Sequence, residues 1–175
     1  MQLKFLVDED FINYKEASMF IGFPTCSFKC NIDCGRVVCQ NDPMKDAKTI
    51  DVDVDSICQR YLSNDITKAI VIGGFEPFDS AFDLELLIDT FRNKYSCKDT
   101  IVIYSGYTKS ELLGKERNEY PNVNYDKLSA LYKQIISYGN IIIKYGRYVP
   151  NYDKHFDDVL GVYLASDNQY AEYFI

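Results

Sequence analysis

The stretch Met19-Phe-Ile-Gly-Phe-Pro-Thr-Cys26-Ser-Phe-Lys-Cys30-Asn-Ile-Asp-Cys34-Gly-Arg-Val-Val-Cys39-Gln-Asn41 decides how this chain is read. A short apolar run with the make-up of a buried strand passes directly into a segment holding four of the six cysteines, Cys26, Cys30, Cys34 and Cys39. Disulfides belong mainly to secreted chains. The N-terminus is of mixed charge and lacks a long apolar core, so it does not read as a signal peptide, and the expectation is a cytoplasmic protein. Inside the cell, thiolates at short spacing on an irregular loop point to zinc or to an iron-sulfur cluster.

Spacing separates these two readings. Zinc sites usually pair ligands two to four residues apart in two knuckles with a longer spacer between them. Cys26/Cys30 and Cys34/Cys39 are nearly contiguous and imitate that poorly. Cys26-x3-Cys30 plus one further cysteine makes a three-thiolate set instead, which leaves one iron of a cubane without a protein ligand and open to a substrate.

With 175 residues the chain supports one domain, residues 1–175, with a proper core. A complete eight-stranded β/α barrel, at about 250 residues, does not fit. A net charge of −7 argues against a nonspecific grip on nucleic acid or on an anionic membrane. No apolar run approaches the roughly 20 residues of a membrane span.

Outward from the cysteines, the periodicity predicts strands over 2–7, 18–23, 69–72, 100–104, 140–144 and, as the last, 159–165. Helices are predicted over 53–62, 79–94, 108–119 and 125–137. Val54, Ile57, Cys58 and Tyr61 repeat at helical spacing, which puts Cys58 in the core rather than on a metal; Leu128, Leu131, Tyr132 and Ile135 do the same. In the helix over 79–94 Phe82, Leu86, Ile88 and Phe91 are among the apolar positions, and Ser80 with Asp83 resembles a capping box. Cys97 reads as a bystander in a connection and His155 as a surface or substrate-loop residue. Alternating strands and helices imply an α/β fold with a mostly parallel sheet and flanking helices. Such sheets bind ligands beyond the carboxyl ends of their strands. The cysteine loop, Gly73-Gly74, Ser105-Gly106, Tyr145-Gly146 and Ser166-Asp-Asn168 each follow a predicted strand, so all five are expected on one rim.

These segments resemble, in order, motifs of the radical S-adenosylmethionine (SAM) enzymes, and in particular of the small activating proteins of anaerobic ribonucleotide reductase. That family carries C-x3-C-x2-C, and its reductase-activating members often read Cys-x-Asn at the third cysteine, as Cys39-Gln-Asn41 does here. Eight residues separate Cys30 from Cys39 instead of two. Two ligand sets stay open: Cys26/Cys30/Cys39, favoured by Asn41 and by a turn at Gly35 that loops Cys34 outward, and Cys26/Cys30/Cys34. Loop closure costs only about 0.6 kcal/mol per doubling of length, so the longer spacer adds roughly 1 kcal/mol and does not decide against Cys39.

Val71-Ile-Gly-Gly-Phe-Glu-Pro-Phe78 is similar to the Gly-Gly-Glu-Pro that holds the SAM amino group, with Phe75 inserted. Tyr104-Ser-Gly-Tyr-Thr108 resembles Tyr-Thr-Gly-Tyr-Thr. Ile143-Lys-Tyr-Gly-Arg147 stands where the family has Asp-Gly-x-Phe, with Lys144 in place of the aspartate. Ser166-Asp-Asn168-Gln169 looks like a closing Gly-Ser-Ser-Asn-Gln with the glycine displaced.

The resemblance implies a compact partial (β/α) barrel, a 4Fe-4S cluster, and SAM bound by Gly73, Gly74, Glu76, Ser105 and Asn168. It implies reductive cleavage of SAM to a 5′-deoxyadenosyl radical, with a glycyl radical on an anaerobic ribonucleotide reductase or another glycyl-radical protein as the product and a flavodoxin-like electron donor. Two other readings stand beside it. One is the same chemistry on another protein, a peptide or a small molecule; the other is a non-catalytic zinc or iron-sulfur module.

Overall fold

The computed structural model describes residues 1–120 and 123–175. The four central strands, β3 (Ser18–Phe23), β5 (Ala69–Gly74), β6 (Thr100–Tyr104) and β7 (Ile141–Tyr145), are mutually parallel. Each is apolar on both faces, the signature of a sheet covered on both sides. Antiparallel strands close the two edges, β2 (Phe5–Asp10) beside β3 and β10 (Tyr170–Phe174) beside β7, so the sheet is mixed, with a parallel centre.

Successive side chains point to opposite faces, and the two faces differ in size. Met19, Ile21, Ile70, Ile72, Ile101, Ile103, Ile141 and Ile143 meet α2 (Val54–Leu62), α3 (Ala81–Asp89) and α5 (Tyr125–Ser137) in the main core. The other face is lined by the smaller Ala69, Val71 and Val102, with Ile142, and is covered by Tyr14, Leu160 and Leu164. Leu164 lies on a short hairpin, β8 (His155–Asp157) and β9 (Val162–Leu164). Asp157 pins that hairpin to the sheet, accepting from Leu160 N at 2.9 Å and from Ala171 N at 2.9 Å. No described helix is long and apolar enough to cross a membrane.

Helices α2 and α5 bury the residues that the periodicity named, and Cys58 lies in the core among them. Several expectations are corrected. The first strand breaks at Lys4: Gln2–Leu3 (β1) pairs with Ile50–Asp51 (β4), and only the following residues join the main sheet. Helix α3 begins at Ala81, and Ser80 makes no side-chain cap. Its core positions are Leu84, Leu87, Ile88 and then Phe91, in the π turn Thr90–Lys94, while Phe82 and Leu86 are exposed. The helix expected over 108–119 is one turn, α4 (Lys109–Leu112), closed by a Thr108/Glu111 capping box; Gly114 then takes φ +68°. The run 159–165 is not the last strand of the sheet. Its apolar residues cover the small-residue face, and the sheet ends with β10.

At the end of β5 the chains approach closely. Gly74 has φ +83°, and a Cβ there would stand 3.0 Å from Gly22 Cα and 3.1 Å from Phe23 N, both backbone atoms that cannot swing aside. Gly74→Ala should therefore destabilise the cluster-free chain by about 1–3 kcal/mol in denaturant titration; an unchanged midpoint would contradict this packing.

Candidate metal centre

At the carboxyl ends of the parallel strands lies a cavity of about 530 Å³. Its wall includes Cys26, Cys30, Cys39, Gly74, Glu76 and Ser105. Cys34 does not line it, and neither do Gly73 and Asn168. Gly73 packs against Phe20 instead, and Asn168 is exposed, donating to Arg147 O at 2.8 Å. Gln169 is the buried residue of that segment which reaches the cavity, bridging Gly146 O with Ala165 N and Ser166 N. All five rim segments do converge: residues 166–169 link β9 to β10, whose antiparallel direction starts it at the rim, and Asn168 abuts Gly146.

The cysteine segment is shaped by a few contacts. Phe28 takes a left-handed φ of +50°, unusual for an aromatic residue, and opens α1 (Lys29–Cys34). Gly35, also left-handed at φ +62°, ends that helix and turns the chain. Asn31 then accepts from Val38 N and Cys39 N, both at 2.9 Å, and folds the spacer back so that Cys39 lies beside Cys30. This clasp explains how an eight-residue spacer returns to the same place. Asn41 donates to Gly74 O, tying the third cysteine's segment to the end of β5. Phe75 has a local role: its ring meets Phe28 edge-on at 5.4 Å, supporting the unusual backbone between Cys26 and Cys30.

The sulfurs are electrostatically linked. The Cys30 thiol donates to Asn31 Oδ1 at 3.9 Å; the neighbouring Cys30 lowers the Cys39 pKa to about 6, while Cys39 and burial raise that of Cys30. Burial pushes Cys26 up to about 12, partly offset by the Phe28 N–H, 3.2 Å from its sulfur. Cys39 is thus the readiest thiolate of the three, and thiolates are what metals bind. Among the described residues no three His, Cys, Asp or Glu side chains converge tightly enough to share one ion. A cubane asks for less convergence, since each of its irons takes one thiolate and the irons stand apart. Cys58 and Cys97 are buried in the core, away from this loop.

Glu76 is buried and held by three donors: Gly106 N to Oε2 at 2.7 Å, Ser105 Oγ to Oε1 at 2.9 Å and Phe78 N to Oε1 at 3.2 Å. Burial, with the nearby Asp79 charge, nevertheless raises its pKa to about 7. Lys144 is equally buried on the same wall and donates to Gly146 O at 2.7 Å; burial lowers it to about 8, and the Glu76 charge opposes that shift. Beyond it, Arg147 pairs with the fully buried Glu111 and with Asp33 on α1, tying the cysteine helix to the end of β7. The roles of Asn31, Asp79 and Arg147 were not visible in the sequence, since each works through partners distant along the chain or through a turn that no motif marks.

The cavity therefore presents three thiols, a buried carboxylate and the backbone of Gly74. No curated protein and no solved structure matches the chain. The family model described as a 4Fe-4S single cluster domain matches residues 17–151, from the start of β3 through the Arg147 segment. Because that match takes in the cysteine loop and all four parallel strands, the chain belongs to the 4Fe-4S single cluster domain family.

Proposed function

We propose that this chain is a radical SAM enzyme of the glycyl-radical-activating type, its sheet serving as the partial (β/α) barrel of that superfamily. In this reading Cys26, Cys30 and Cys39 hold the cluster and Cys34 does not. The observation that carries it is that these three thiols share one cavity wall with Gly74, Glu76 and Ser105. When bound, a reduced 4Fe-4S cluster with one iron free of protein ligand supplies the electron that splits the SAM sulfonium into methionine and a 5′-deoxyadenosyl radical, which takes a hydrogen atom from the substrate. Glu76 receives the ammonium group of SAM, oriented by Ser105 and Gly106. Gly74 lets the methionyl backbone approach, and the β8–β9 hairpin shields the far wall from water. The substrate is a glycine of an anaerobic ribonucleotide reductase or a similar glycyl-radical protein, and the electron comes from a flavodoxin-like donor.

A second reading keeps the chemistry and changes the substrate to another protein, a peptide or a small molecule. What favours it is Lys144, a buried ammonium in the cavity where the reductase-activating family has a carboxylate.

The test is anaerobic reconstitution with iron and sulfide, then dithionite and SAM. The expected products are 5′-deoxyadenosine and methionine in equal amounts, and a glycyl-radical signal when the reductase is added. Cleavage without that signal selects the second reading. One tightly held zinc and no cleavage would leave a non-catalytic module.

A further inference from the structure

Between Cys26 and Cys30 lie only Ser27, Phe28 and Lys29, and two of these three converge on one carboxylate. Asp79 Oδ2 accepts from Ser27 N at 2.7 Å and from Ser27 Oγ at 2.6 Å. Asp79 Oδ1 accepts from Lys29 Nζ at 3.1 Å and from Tyr107 OH at 2.8 Å. The ion pair is well shielded, with Lys29 6% and Asp79 11% exposed at the side chain, and the ammonium stands 4.0 Å from the centre of the Tyr107 ring. Asp79 belongs to the 3-10 turn Pro77–Ser80 that leaves β5 just after Glu76, and its own N–H donates to Glu76 O at 3.1 Å. One short turn therefore presents Glu76 to the cavity and Asp79 to the cysteine loop.

From this geometry we infer that Asp79 is the positioning residue of the metal centre: it sets the spacing and direction of Cys26 and Cys30 from outside the ligand set. An ordinary buried ion pair would lock two elements together anywhere along their length. Here the loop-side donors are confined to the three residues between two thiols, so any slack appears first at the sulfurs. Outer partners of this kind typically change metal affinity 10–100-fold. The inference rests on the iron-sulfur assignment of the thiols and not on SAM.

The test compares wild type, Asp79→Asn and the double variant S27A/K29M, all full-length and reconstituted anaerobically with iron and sulfide. An asparagine keeps the shape, removes the charge and cannot accept from all four donors. S27A/K29M removes the loop's side-chain donors while Asp79 keeps Tyr107, so it serves if Asp79→Asn fails to fold. Iron loss to a ferrous chelator is expected to be about tenfold faster in the variants than in wild type. The electron paramagnetic resonance signal of the dithionite-reduced cluster should shift as well, which a loss of global stability alone would not produce. Wild-type iron retention and an unchanged signal in whichever variants fold would overturn the proposal. A wild type that takes up no iron would overturn the cluster assignment and this inference with it.

Discussion

Cys39→Ala is expected to abolish the cluster, with iron per chain falling to background after anaerobic reconstitution, whereas Cys34→Ala keeps the wild-type load. Cys26→Ala and Cys30→Ala should behave like Cys39→Ala. The reason is positional. Cys34 follows Cys30 by one helical turn, outside the cavity wall, while Asn31 folds Cys39 back beside Cys30. The neighbouring Cys30 thiol also lowers the Cys39 pKa, which favours the thiolate form that iron binds. The extra spacer adds only roughly 1 kcal/mol of closure entropy, small beside metal–thiolate bonding. The opposite result, iron lost with Cys34 and kept without Cys39, would mean that the loop is rebuilt on loading and would remove the ligand set proposed here.

Glu76→Gln should weaken SAM binding by about 10–100-fold, the worth of a charge-assisted hydrogen bond. It should also make the cluster-free chain more stable at alkaline pH. The sign follows from the raised pKa. Glu76 titrates near 7 in the fold against an ordinary 4.5, so its favourable contribution is complete below about 4.5 and is lost as pH rises through 7. Relative to Glu76→Gln, the wild type should lose on the order of 2–3 kcal/mol between pH 4.5 and 8. Lys144 mirrors this: its pKa is depressed to about 8, so its contribution is present above about 10.5 and lost as pH falls through 8. SAM affinity runs the other way from Glu76 stability, because only the carboxylate attracts an ammonium, and should fall as pH drops through 7. Calorimetric titration from pH 6 to 8.5 and denaturant melts from pH 4.5 to 8 check the two halves. An affinity flat with pH, and unaltered by Glu76→Gln, would remove Glu76 from the binding site.

What could be read in advance followed from local regularity. Helices α2 and α5 announce themselves because each buries a face at a fixed period, and the parallel strands because they are short, nearly continuous apolar runs. Strand β10 was missed because Tyr170-Ala-Glu-Tyr-Phe174 is a half-exposed edge with a charged centre, and its pairing with β7 is a property of the partner. Gly114 cut the expected α4 short through its backbone angle, which the apolar pattern does not encode. Phe82 looked like core and is solvent-facing, since α3 meets the sheet through Leu84, Leu87 and Ile88 instead. At the site, the close spacing of the cysteines stands out in the sequence, whereas Glu76 was expected only through the resemblance of its segment to Gly-Gly-Glu-Pro. Residues that act by holding others could not be named in advance: Asp79 matters through Ser27, 52 positions away, and Asn31 through a loop whose path is set by Gly35.

The tie from Asn41 to Gly74 and the tie from Ser27 to Asp79 span 33 and 52 residues, and both end on the turn that leaves β5. That turn exists only once β5 has docked between β3 and β6, an event dominated by pairings remote along the chain and therefore slow. The cluster-free chain is therefore expected to fold before it takes up iron and sulfide, unlike a zinc finger, which folds because its metal arrives, and a cooperative denaturant transition of the iron-free chain checks this. Iron starvation should then leave a pool of folded, vacant protein awaiting repair rather than a pool of degraded chains.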